Sequence, residues 1–344
     1  MSMSTIRMRD ILALVVVAAI LIAMIPTMVF AADDNSNNSD NISVIFTSGN
    51  GAPVVDTVTL YNAGDNATET SMDPTVGYSV QVNVTDNNTL NDLTEVKVTI
   101  YYNGSGTYGT VPPNADNKTC GIYTWTPSDN FTMDSTLTAG SWLLGATSAA
   151  PTLTASNGTF KFHFTPGRVA TESDNTSDEW QIHASVTDNS SQSATNHQED
   201  LNMNWYGQMS ITDDHLGLGN LNLGATKQSS PFTVTYWSNG NYSEQVKAMS
   251  DNWTGAGSNS LALVTTDTPG AGQFKLVAND ENNSSGGDAQ ALTTTYKTIE
   301  NGGSITSESG NPESANYLWI TLGSSNIPVD TYNGTVYYQI LERN

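Results

Sequence analysis

Phe160-Lys161-Phe162-His163-Phe164 and Trp180-Gln181-Ile182-His183-Ala184-Ser185-Val186 alternate apolar and polar residues without a break. Successive side chains of a strand point to opposite faces, so each stretch offers one dry face and one wet face, as in an antiparallel sheet packed on one side. The same period recurs in Ile42–Phe46, Val55–Tyr61, Tyr78–Thr85, Glu95–Tyr102 and Ile122–Trp125, and brackets the two runs above as Thr159–Phe164 and Glu179–Thr187. Clusters of Gly, Asn, Asp and Pro separate these runs, which are rich in Val, Thr and aromatics. No window of ten or more residues repeats its apolar positions every 3.6 residues. The chain is therefore read as all-β, with two antiparallel β-sandwich domains in tandem after a signal peptide. Residues 42–205 form the first sandwich and 206–344 the second. Alternation places His163 and His183 on the polar faces of their strands, whereas His197 and His215 fall in loops.

The second series opens near Trp205-Tyr206-Gly207 and runs through Gln208–Thr212, Phe232–Trp237, Gln245–Met249, Leu261–Thr265, Gln273–Ala278, Ala291–Thr298, Leu318–Leu322 and Gly334–Leu341. In the first series, the strand Tyr78–Thr85 runs into Asp86-Asn87 and its echo Trp180–Thr187 runs into Asp188-Asn189, so both close in Val-Thr-Asp-Asn. Over residues 40–205 this resembles extracellular immunoglobulin-like or cadherin-like modules. The pieces Phe232-Thr233-Val234-Thr235, Asn239-Gly240-Asn241 and Pro328-Val329-Asp330-Thr331-Tyr332-Asn333-Gly334-Thr335-Val336 resemble patterns in sandwich domains of secreted archaeal and bacterial surface proteins. That resemblance implies an Ig-like fold and a role in holding, spacing or sticking rather than catalysis.

Arg7 and Arg9 precede an apolar run from Ile11 to Ala32, interrupted by Pro26, and Val29-Phe30-Ala31 leads at once into acidic, polar sequence. This is the layout of an export signal, residues 1–31, with cleavage after Ala31. A run of that length also suffices to cross a bilayer, so a retained N-terminal anchor is the alternative, and the only membrane contact foreseen. Residues 32–41 read as a flexible acidic tether. It leads into Ile42–Phe46, a strand able to leave its own sheet and add to a neighbour's open edge, with Thr335–Leu341 as a candidate edge; self-association into a filament is one consequence.

A net charge of −23 from 11 basic and 34 acidic residues argues against nucleic acid and anionic membranes as partners. Cys120 is the single cysteine, so no intramolecular disulfide forms, and the residue is read as a small buried side chain. The 16 N-x-[ST] sequons point to a glycosylated exterior, with Asn66, Asn87, Asn103, Asn117, Asn157, Asn189, Asn241, Asn252, Asn283 and Asn333 as candidates.

Gly104-Ser105-Gly106-Thr107-Tyr108-Gly109 has the spacing of a dinucleotide-binding loop, but Thr110-Val111-Pro112-Pro113 follows where a helix would have to open, so it reads as a hairpin loop. The four histidines lack metal-ligand spacing. Calcium is the one cofactor with a case, because hard cations take clustered oxygen donors on loops. The clusters are Asp86, Asn88 and Asp92, with Asp188 at the echoing turn; Asp174 and Asp178; and Asp280 and Asp288. The leading reading is an exported, N-glycosylated surface protein with a structural or adhesive role and no catalytic activity, whose partners are copies of itself or other surface proteins. One alternative is a carbohydrate-binding module using indoles from among Trp125, Trp142, Trp205, Trp237, Trp253 and Trp319. A second is a secreted glycoside hydrolase, which needs two facing carboxylates.

Overall fold

A computed structural model describes residues 43–46, 49–104, 108–137, 141–173, 180–212 and 215–343, and for 312–315 the backbone alone. The export segment 1–31, the tether 32–41, Ile42, Asp174 and Asp178 lie outside the described residues. Gly51–Asn344 is a compact unit that holds the sheets. The chain is all-β: its described residues form strands and loops, with one 3-10 turn at Leu90–Asp92 and no α-helix.

The first ten strands are β1 (Val54–Asn62), β2 (Ser71–Met72), β3 (Tyr78–Thr85), β4 (Leu93–Tyr102), β5 (Cys120–Thr126), β6 (Asn130–Met133), β7 (Leu143–Leu144), β8 (Asn157–Thr165), β9 (Trp180–Asp188) and β10 (Ser193–Met203). They form a four-stranded sheet, β1-β3-β8-β7, and a six-stranded sheet, β2-β10-β9-β4-β5-β6. β8 pairs with β3 so that Phe160, Phe162 and Phe164 stand opposite Val82, Val80 and Tyr78. β9 pairs with β4, setting Ile182, Ala184 and Val186 against Ile100, Val98 and Val96. These residues are buried in one shared cluster, with Trp125 packed on Phe160 at 4.7 Å between ring centroids. Each large side chain so buried contributes roughly 1.5–3 kcal/mol.

The remaining strands are β11 (Gly207–Ile211), β12 (Thr226–Gln228), β13 (Phe232–Ser238), β14 (Tyr242–Ala248), β15 (Asn252–Gly255), β16 (Ser260–Leu263), β17 (Gln273–Asn279), β18 (Gln290–Ala291), β19 (Lys297–Gly303), β20 (Asn311–Leu322), β21 (Tyr332–Asn333) and β22 (Val336–Glu342). A nine-stranded sheet follows the path β11-β13-β20-β17-β16-β15-β21, with β12 on β20 and β18 on β17; a three-stranded sheet runs β19-β14-β22. Phe232, Val234 and Tyr236 of β13, Phe274 and Leu276 of β17, and Val246 and Ala248 of β14 share a second buried cluster. Pairing is antiparallel except for two-residue parallel contacts between β2 and β10 and between β16 and β17.

The two halves meet through buried polar groups. The Asn239 amide donates to the carbonyls of Ala170 (2.8 Å) and Asn204 (2.9 Å) and accepts from the Tyr206 N–H at 2.7 Å. Beside it, Arg168 lies over the Trp237 ring, 4.9 Å from its centroid, and donates to Glu308 at 3.3 Å. Burial pushes the Glu308 carboxyl up against the opposing pull of Arg168.

Several expectations need correction. Residues 43–46 form no strand, and Val44, Ile45 and Phe46 are 72%, 86% and 81% exposed; β propensity alone makes no strand where the backbone groups find no ladder. The run Ala291–Thr298 is broken between β18 and β19, because the Thr293 hydroxyl takes the Thr295 N–H at 3.1 Å and turns the chain. β10, unforeseen from its polar sequence, holds His197 opposite His183 instead of in a loop. Its side chains replace ladder bonds at the edge of β1: Gln198 accepts from Leu60 N–H at 2.7 Å and Asn196 donates to the Val55 carbonyl at 3.0 Å. His163 is buried rather than on a wet face, since residues around Gly145 cover it and Asp65 lies 3.5 Å from its Nε2. The outer face of β4 and β5 is likewise dry around Tyr101, Cys120 and Ile122, where Val111 and Ala115 close over it. Cys120 is fully buried, as expected, and burial pushes its thiol up to about 12.

Candidate metal centre

Where β3 ends, the Asp86 N–H donates to the Ser156 carbonyl at 2.7 Å and Asp86 Oδ1 accepts the Asn88 N–H at 2.7 Å, an Asx turn. The chain then passes Thr89, whose φ is +81°, into the 3-10 turn that ends at Asp92 and feeds β4. The echoing turn after β9 is built the same way: Asp188 Oδ1 accepts the N–H groups of Ser190 and Gln192, each at 2.8 Å. The two turns are tied together because Asn189 N–H donates to the Asp92 carbonyl at 2.8 Å and Asp188 pairs with Leu93.

Asp86, Asp92 and Asp188 consequently converge, one carboxylate oxygen from each lying within 4.8 Å of the others. Asp86 and Asp188 are 1% and 2% exposed, and Asp92 is half-buried. Asp86 Oδ2 and Asp92 Oδ1 are buried without a hydrogen-bond partner. Burial first, and then the charges of Asp86 and Asp188, push the Asp92 carboxyl above its ordinary range. Two unit charges within 4.8 Å of each other repel by roughly 3 kcal/mol or more at an effective dielectric of 20, a repulsion that a bound cation would relieve.

The other acidic candidates separate from this group. Asn88 is exposed and accepts the Gly51 N–H at 2.7 Å, anchoring the entry into β1. Asp280, at the end of β17, feels the charge of Glu300 of β19, a residue with no signal in its spacing to Asp280; Asp288 is exposed. Burial, then Glu300, then Asp288 push Asp280 up to about 7.

None of the six candidate tryptophans is exposed. Trp125 and Trp142 lie in the first core, Trp253 lies in the second, and Trp319 is buried too. Trp205 is half-buried against the second core and Trp237 lies under Arg168. Eight sequon asparagines, Asn66, Asn87, Asn157, Asn189, Asn241, Asn252, Asn283 and Asn333, are exposed. Asn103 and Asn117 are half-buried, and Asn117 Oδ1 accepts from Ser141 at 2.8 Å. The glycine-rich loop lies over the sheet, Gly109 N–H donating to Gln181 at 3.2 Å, with residues 105–107 outside the described set. Tyr108 meets His183 Nδ1 at 2.6 Å and stacks on His197 at 3.9 Å between centroids, a contact made available by β10.

No protein-family profile and no curated protein matches the chain by sequence. Among solved structures it is similar to the 35 kDa C-terminal fragment of the major pilin GBS80 of Streptococcus agalactiae, at 9% identity and a TM-score of 0.22, over 80% of this chain and 82% of that one.

Proposed function

We propose that the chain is an exported, N-glycosylated protein of the cell surface with a structural role, its two sandwiches being stiff spacers. The observation that carries this reading is the joint between them. A linker that only tethers two modules is flexible and hydrated. Here Asn239 is fully buried and binds backbone on both sides of the joint, while Arg168, Trp237 and Glu308 interlock next to it. Such a joint resists bending because any hinge motion strands buried polar groups. The Arg7–Ala31 segment supplies the route outward, and exposed sequons in both halves supply attachment points for glycan.

The test uses intact cells of the producing organism. A non-permeant biotin reagent should label the protein without lysis, the labelled chain should begin at or near Ala32, and its mass should exceed that of the polypeptide through glycan on exposed sequons. Labelling only after lysis, with Met1 retained and no added mass, refutes the reading.

A further inference from the structure

We propose that Asp86, Asp92 and Asp188 bind one calcium ion that clamps the two sheets of the first sandwich together at one end. The inference does not depend on where the protein resides. Three nearby carboxylates alone would make no site. What points to a ligand is Asp86, 1% exposed, whose Oδ2 is buried without a hydrogen-bond partner although its Oδ1 is engaged in the turn.

The turns orient the carboxylates in advance. Asp86 uses Oδ1 to hold the Asn88 N–H, and Asp188 uses Oδ1 to hold those of Ser190 and Gln192. These bonds fix both side chains, and the single bond to Asp86 Oδ1 does not consume that residue's capacity to bind a cation, since a carboxylate has about four acceptor positions. Calcium binds oxygen at about 2.4 Å, so ligands on opposite sides of it stand about 4.8 Å apart. The three oxygens lie within that span. Half-buried Asp92 leaves a side on which water completes the six to eight ligands that calcium takes.

Asp86 follows β3 of the four-stranded sheet, whereas Asp92 precedes β4 and Asp188 ends β9 in the six-stranded sheet. An ion held by all three therefore spans the sandwich, and the duplicated Val-Thr-Asp-Asn ending supplies one ligand from each sheet.

The experiment is calorimetric titration and thermal melting of the mature chain after chelation, with calcium and magnesium in parallel. One calcium should bind per chain, and a hundredfold excess over Kd should raise Tm by about 5 °C. Asp92→Asn removes a ligand and a like charge together. It should abolish the calcium response while raising the Tm of the calcium-free protein, a sign opposite to that of a purely structural aspartate. Asp280→Asn, in the other half, should retain wild-type binding.

Absence of calcium binding by the wild-type chain overturns the proposal. So does an Asp92→Asn variant with undiminished affinity, or equal affinity for magnesium. Stabilisation by acid alone, with no response to calcium, would assign the trio a shared proton instead and likewise overturn it.

Discussion

Replacing Asn239 with alanine should loosen the joint between the two halves by a predictable amount. The amide serves three backbone groups: it donates to the carbonyls of Ala170 and Asn204 and accepts from the N–H of Tyr206. Only the bond to Ala170 is fully buried; the other two are partly so, and water entering the truncated site will satisfy part of their need. One full desolvation penalty of about 1–3 kcal/mol and two reduced ones give a loss of about 3 kcal/mol. The main-chain bond from Glu172 N–H to the Asn239 carbonyl survives the substitution, so the halves should stay joined but yield earlier. Urea unfolding followed by tryptophan fluorescence should show the midpoint falling by about 1–2 M, given the slopes usual for chains of this kind. Asn239→Asp should cost at least as much, because it turns a carboxylate toward two carbonyl oxygens. A loss below about 1 kcal/mol for Asn239→Ala would refute the view that buried polar bonds stiffen the joint.

Acid should stabilise the second half through Asp280. Its folded-state pKa of about 7 exceeds its ordinary value of 3.8, so the folded chain holds more protons between those limits and stability falls as pH rises from about 4 to 7, then levels off. Asp280→Asn should flatten that part of the stability profile, and an unchanged slope would contradict the assignment. Gly121→Ala should cost about 1–3 kcal/mol by overpacking. A Cβ there would sit 2.7 Å from Trp142 Cε3, and the indole is held by its bond to the Asn117 carbonyl at 3.1 Å and by Trp180, so it has no room to retreat; a wild-type Tm would show that the ring moves. Cys120 should ignore a thiol reagent at pH 8 in the native protein and react in denaturant, and fast native labelling would show that the cover formed by Val111 and Ala115 opens.

The strands with apolar alternation were legible because their inward side chains are aliphatic or aromatic. Tyr78–Thr85 coincides with β3, and Thr159–Phe164 lies inside β8. β10 was not legible, because Asn196 and Gln198 meet β1 through hydrogen bonds and a hydropathy period cannot register them. Ile42–Phe46 failed in the opposite sense: its composition suits a strand, yet residues 43–46 form none. The metal candidates divided along similar lines. Local turn chemistry placed Asp86 and Asp188 at strand ends, and their common Val-Thr-Asp-Asn ending hinted that they belong together. Pairing of Leu93 with Asp188 then brings Asp92 into the same group, a fact of register that spacing does not encode. Glu300 reaches Asp280 through the fold alone.

The sealed thiol of Cys120 makes this a convenient chain for attaching probes. With its own cysteine inert, a cysteine introduced at exposed Ser128 or Ser324 becomes the single address for a dye, a spin label or a surface linker. A double variant would carry one label on each half. The distance between the labels, and the force needed to change it, can then be read directly on the wild-type joint.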